Sequence, residues 1–142
     1  MDYLIVLRIH TVASLIFETL GPFLADSRYP DNVDEFIVGR ELILRYQLTN
    51  QWKLRIKEKY FIEGYQLEIA YGYVLINEAG DHIFSCDNMP HHPHVRTFPH
   101  HKHRYPKDRF KPTEFSGRFE DFLEEVLWEI TRSQRGSDRV RK

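Results

Sequence analysis

A chain of 142 residues holds about one domain, and 42% hydrophobic against 29% charged residues is too apolar for a disordered protein. Arg8, His10 and Glu18 interrupt the apolar N-terminal stretch, which also lacks the basic start and small-residue cleavage pattern of a secretory signal, so neither a membrane span nor secretion is expected. The formal net charge of −1 hides an uneven spread: acid collects over residues 31–41 and 114–129, and base with histidine over 53–59, 91–111 and the C-terminal tail. Such patches suit a local polyanion site better than general adhesion. The lone cysteine, Cys86, has no partner for an internal disulfide, which fits the cytoplasm.

Residues 4–24 read as a helix, with Ile5, Ile9, Val12, Ile16, Leu20 and Phe23 recurring every three or four positions, and Gly21-Pro22 kinks or ends it. Residues 27–34 have loop composition. Leu42, Leu44, Tyr46 and Leu48 then alternate with polar residues as in a half-buried strand. After a turn at residues 49–51, Trp52, Leu54, Ile56, Tyr60 and Ile62 fall on one side while Lys53, Arg55, Lys57 and Lys59 fall on the other. Glu58 sits on the apolar side, where burial against a partner and a role in a site are both open. A second hairpin follows at Glu63-Gly64, with Tyr65, Leu67, Ile69, Tyr71, Tyr73 and Leu75 on one face, and residues 82–86 form the next strand after a turn at 78–81.

Five prolines between residues 87 and 112 exclude a helix or central strand there, so that stretch is expected to be a loop. Phe119, Phe122, Leu123, Val126, Leu127 and Ile130 then form the apolar stripe of an amphipathic helix, opposite Glu120, Asp121, Glu124, Glu125 and Glu129. The expected fold is α+β: one domain over residues 1–131, built as an antiparallel β-meander of about four strands with an N-terminal and a C-terminal helix packed on one face. The basic segment 132–142 is expected to be a disordered tail.

Six of the eight histidines lie between residues 91 and 103, in two similar units, Pro90-His91-His92 and Pro99-His100-His101, the second extended by Lys102 and His103. Imidazole exchanges protons near neutrality, and RNA cleavage needs a base for the 2′-hydroxyl, an acid for the leaving 5′-oxygen and a cation for the phosphorane. The segment supplies all three residue types. His92 and His101 are the nominal base and acid, with His91, His100 and His103 as further candidates. Asp87 is placed to fix an imidazole tautomer, and Lys102, Arg96 or Arg104 to hold phosphate. Asn88 joins the substrate-binding candidates. So do Arg55, Lys57 and Lys59, whose spacing of about 6.6 Å along a strand roughly matches successive phosphates. Tyr60, Tyr65, Tyr71 and Tyr73 can stack bases, although most such tyrosines are core, and a basic strand face is often only solvated. Cys86 with His91, His92 or His94 has zinc-ligand chemistry without standard zinc spacing, so no metal and no cofactor is expected.

Tyr71-Gly72-Tyr73, Asp87-Asn88-Met89-Pro90-His91-His92 and Thr97-Phe98-Pro99-His100-His101-Lys102-His103, followed by a short helix, resemble the TumE-like family, the toxin components of a type II toxin–antitoxin system. The likeness in layout runs from the first helix to Ile130 and is firm at residue level from Tyr71 to His103; Met89 stands where such motifs often carry a small residue. The resemblance implies a bacterial or archaeal cytoplasmic toxin that acts on RNA and is neutralised by a small DNA-binding antitoxin encoded beside it. Two other functions fit the same residues. One is a non-catalytic module whose His and Arg cluster binds RNA or a partner; the other is a metal-dependent hydrolase in which histidines and Asp87 hold a transition metal. An antitoxin can dock either over the loop, against Arg96, Lys102 and Arg104, or on exposed apolar positions of the first helix. A homo-oligomer stays open.

Overall fold

Helix α1 spans Tyr3–Leu20 and is opened by Asp2, whose side chain accepts the Leu4 N–H at 2.8 Å. Gly21-Pro22 ends it, as the sequence predicts, in a 3-10 turn over Gly21–Phe23. The computed structural model describes residues 2–25 and 37–140, so the loop expected at 27–34 lies outside the described residues. By length and composition the segment Tyr3–Phe23 is apolar enough to cross a membrane. Here its Ile5, Ile9, Val12, Ile16 and Leu20 face lines the protein core.

Seven antiparallel strands pair in chain order: β1 (Ile37–Val38), β2 (Glu41–Gln47), β3 (Lys53–Glu63), β4 (Gln66–Ile76), β5 (His82–Asp87), β6 (His101–Arg104) and β7 (Thr113–Glu114). The meander is the expected one, with more strands than the four predicted. Two of the additions are two-residue edge strands. The third, β6, falls inside the stretch denied a strand for its prolines, because the four residues His101–Arg104 are a proline-free window that pairs with β5 on one side and β7 on the other.

Gly64, at φ +60°, makes the β3–β4 turn, a backbone region where a Cβ is unfavourable. From there β3 and β4 pair over eleven positions, Lys53 opposite Ile76 through Glu63 opposite Gln66. Directly opposed residues share a sheet face. One face therefore carries Leu44, Ile56, Tyr73, Cys86 and Lys102 in a single cross-strand row. The other carries Ile43, Lys57, Gly72, Asp87, His101 and Glu114 in the adjacent row.

Both helices cover the first face, which the amphipathic patterns predict: Ile9, Val12 and Ile16 of α1 and Phe119, Phe122, Leu123 and Val126 of α2 join Leu42, Leu54, Tyr60 and Phe84 in one core. Helix α2 spans Phe119–Val140 and so continues past residue 131, where the folded domain was expected to end. The i,i+3 pair of Glu129 with Arg132 supports that continuation. Glu58, the sequence anomaly, is fully buried and accepts from Arg8 Nε at 3.1 Å, Arg8 Nη2 at 2.8 Å and the Tyr60 hydroxyl at 2.9 Å, with the Tyr73 hydroxyl as a fourth donor. Its partner is a helix residue fifty positions away. Burial and the Glu58 charge push both phenols above their ordinary range, so the tyrosines remain protonated donors.

Candidate functional site

The segment between β5 and β6 is held by its own motif residues. Asn88 extends the β4–β5 ladder past its last backbone pair: its Oδ1 accepts the Tyr71 N–H at 2.9 Å and its Nδ2 donates to the Ile69 carbonyl at 2.7 Å. Asp87 Oδ1 accepts the Met89 N–H at 3.0 Å and turns the chain out of β5. At the far end the Thr97 hydroxyl donates to the His100 carbonyl at 2.7 Å and accepts the Phe115 N–H at 3.0 Å, tying the return of the loop to the segment before α2.

The loop folds back over the open face at the β5–β6 end of the sheet. His92, carried by the loop, meets His101 and His103 of β6 with ring centroids 4.9 and 5.6 Å away, and those two rings lie 5.0 Å apart. One nitrogen from each falls within 4.8 Å of the others. His101 is 2% exposed. Its Nδ1–H donates to the Pro99 carbonyl at 3.0 Å while Nε2 faces Asp87 Oδ1 at 3.0 Å. His103 Nδ1–H donates to the Arg109 carbonyl at 2.9 Å. A carbonyl only accepts, so both β6 rings have Nδ1 as a donor, with Nε2 of His101 held against Asp87 and Nε2 of His103 turned to the site. His92 is half-buried, and partial desolvation followed by the charges of His101, His103 and His94 lowers its pKa, favouring the neutral ring.

This arrangement is drawn from two stretches of the same motif. Residues 14–134 match the family described as Toxin TumE. The chain belongs to the TumE toxin family. It is accordingly the toxin half of a toxin–antitoxin pair, whose general partner is an antitoxin. No curated protein and no solved structure matches the chain.

In this TumE-family toxin the remaining candidates divide by sheet face. His91 and His94 are exposed on the loop, His94 with its ring centroid 5.8 Å from that of His92. His100 turns away from the cluster: its Nδ1 shares a 2.8 Å hydrogen bond with the Tyr71 hydroxyl. A Cβ on Gly117, at φ +84°, would lie 2.7 Å from that ring, so the glycine is required for the close approach. Lys102 and Arg104 alternate with His101 and His103 along β6 and so point to the helix side. There Lys102 Nζ pairs with Glu125 Oε1 at 2.8 Å, and Arg104 Nη1 with Glu129 Oε1 at 2.8 Å. The sequence places Glu125 and Glu129 on the solvent side of α2; they serve these two cations instead, and Glu129 is 2% exposed. Arg96 reaches Glu114 at 2.7 Å on the surface.

Cys86 also points to the helix side, where burial pushes its thiol up, so it does not join the histidines. Tyr60, Tyr71 and Tyr73 are core residues, whereas Tyr65 is 99% exposed at a hairpin tip. The predicted cations Arg55, Lys57 and Lys59 do share the open face with the cluster. Sequence reading misses Arg45, which lies directly opposite Arg55 across β2 and β3. Two like charges in register repel. The period of β2 contains the signal, since Arg45 falls between inward Leu44 and Tyr46. Arg45, Lys53 and Arg55 help line an open depression of about 460 Å³, together with Ile76.

Proposed function

We propose that this chain is a cytoplasmic RNA-cleaving toxin in which the His92, His101 and His103 cluster transfers protons at a phosphodiester held on the open face of the sheet. The observation that carries the reading is the sharing of one face by three converging imidazoles and the cations of β2 and β3. From His101 to Lys57 the row crosses Asp87 and Gly72, three strand spacings or about 14 Å. That distance is roughly two or three nucleotides of extended single-stranded RNA, taking a phosphate step of about 6 Å as for the strand stripe. Gly72 leaves the path between them without a side chain.

Burial of His101 assigns the exposed chemistry to its two neighbours. His92, favoured in the neutral form, takes the proton of the 2′-hydroxyl, and His103, whose Nδ1–H is already tied to a carbonyl, delivers one from Nε2 to the leaving 5′-oxygen. His101 with Asp87 is a positioning pair beneath them. Lys102 and Arg104 face the helix, so the phosphorane charge is met by the imidazoles and neighbouring phosphates by the stripe.

Purified protein incubated with single-stranded RNA in excess chelator will yield fragments ending in a 2′,3′-cyclic phosphate, while the same sequence carrying a 2′-deoxy sugar at the cleaved position will stay intact. Intact RNA retained by the protein both in chelator and with added transition metal would instead point to a binding module. Replacing Arg45, Lys53 and Arg55 together by glutamine removes up to three phosphate contacts. It should lower affinity for RNA roughly a hundredfold at 0.1 M salt and flatten the slope of log K against log salt by about 2. An unchanged slope in filter-binding titrations would move the RNA path elsewhere.

A further inference from the structure

We infer that His92, His101 and His103, with Asp87 beside them, form a binding site for a zinc-class transition-metal ion. The site stands on donor geometry and is independent of whether RNA is cleaved. Three nitrogens lie within 4.8 Å of one another. Tetrahedral zinc with Zn–N of about 2.1 Å places nitrogens roughly 3.4 Å apart, a contraction reached by small ring rotations. Two of the three rings are already set for that role. The Nδ1–H of His101 donates to the Pro99 carbonyl and that of His103 to the Arg109 carbonyl. A metal-ligating histidine is held in this way, its outer nitrogen hydrogen-bonded so that the inner lone pair aims at the ion.

Three imidazole nitrogens suit zinc and its neighbours rather than magnesium or calcium. His92 is the ring free to close the site, since among the described residues no hydrogen bond fixes it.

A bound metal occupies the His92 lone pair, so on the proton-transfer reading above, zinc switches cleavage off. The full chain, purified without a metal-affinity tag and stripped with chelator, is titrated with cobalt(II) and then zinc(II). The expected result is one ion per chain, with the visible absorption of tetrahedral cobalt, displaced by zinc. His92→Ala and His103→Ala should each weaken binding at least about tenfold, while the double variant His91→Ala, His94→Ala, from the same histidine-rich loop, should stay within about twofold of the parent. Equal weakening in the double variant, or several weak ions per chain with octahedral cobalt spectra, would overturn the site as non-specific binding by a histidine-rich segment. Circular dichroism of the half-exposed His92 variant confirms that a loss is not unfolding. RNA cleaved by protein that binds no metal sinks the metal site alone, and RNA left intact by the chelator-stripped form of a protein that binds one metal ion sinks the nuclease reading alone.

Discussion

His92→Ala and His103→Ala should each lower the single-turnover rate of RNA cleavage by roughly 10²–10⁴-fold, the contribution of one positioned acid or base. The two rings are the half-exposed members of the cluster, 5.6 Å apart by centroid. Neither removal opens the core, because both side chains lie on the face away from the helices. Loss of rate with an unchanged unfolding curve is therefore the expected pattern. His91→Ala and His94→Ala, on the exposed part of the loop, should change the rate by less than about threefold, small beside the loss for an acid or base. His101→Ala is a different case: it removes the ring that His92 and His103 pack against and leaves Asp87 without its partner. Its loss of rate should come with loosened substrate positioning, read as a rise in KM as well as a fall in kcat. Full activity in both His92→Ala and His103→Ala would sink the proton-transfer reading.

Glu58→Ala is expected to destabilise the fold by about 3–5 kcal/mol, the cost of leaving one member of a buried ion pair without its partner. The carboxylate is fully buried and takes hydrogen bonds from Arg8, Tyr60 and Tyr73, so the variant strands a guanidinium and two hydroxyls at once. In urea the midpoint should fall by roughly 2 M. Glu58→Gln keeps a carbonyl acceptor and should lose less. A drop below about 1 kcal/mol in Glu58→Ala would mean that Arg8, which is 21% exposed at its side chain, swings out to water and that the network contributes little. The network also bears on the site, since Tyr73 stacks on Tyr71 at 4.6 Å, and Tyr71 holds His100 at the root of the β6 turn. Cleavage should therefore weaken in Glu58→Ala even at temperatures where the chain remains folded.

Placing Lys102 correctly required knowing that residues 101–104 are a strand. Once they are, adjacent residues alternate between faces, and His101 and His103 separate from Lys102 and Arg104 without further information. Prolines at 99 and 106 obscure that strand in the sequence, because four residues are too few to show a period of two. Asn88 is a similar case. Its residue type suits RNA recognition as well as backbone repair, and only the end of the β4–β5 ladder beside it shows which hydrogen bonds it makes.

The sequence by itself determined the elements whose period is long enough to read: α1, the alternation of β3 and β4, and the stripe of α2, hence an α+β meander with both helices on the apolar face. It also determined the segment that holds the candidate site, since six histidines in thirteen positions are a composition signal that needs no neighbours. Only the tertiary structure decided which of those rings converge, that Arg8 is the partner of Glu58, and that Lys102 and Arg104 belong to α2 rather than to the site. These are pairings between residues distant in sequence. They are set by strand register and helix packing, and neither spacing nor residue type carries that information.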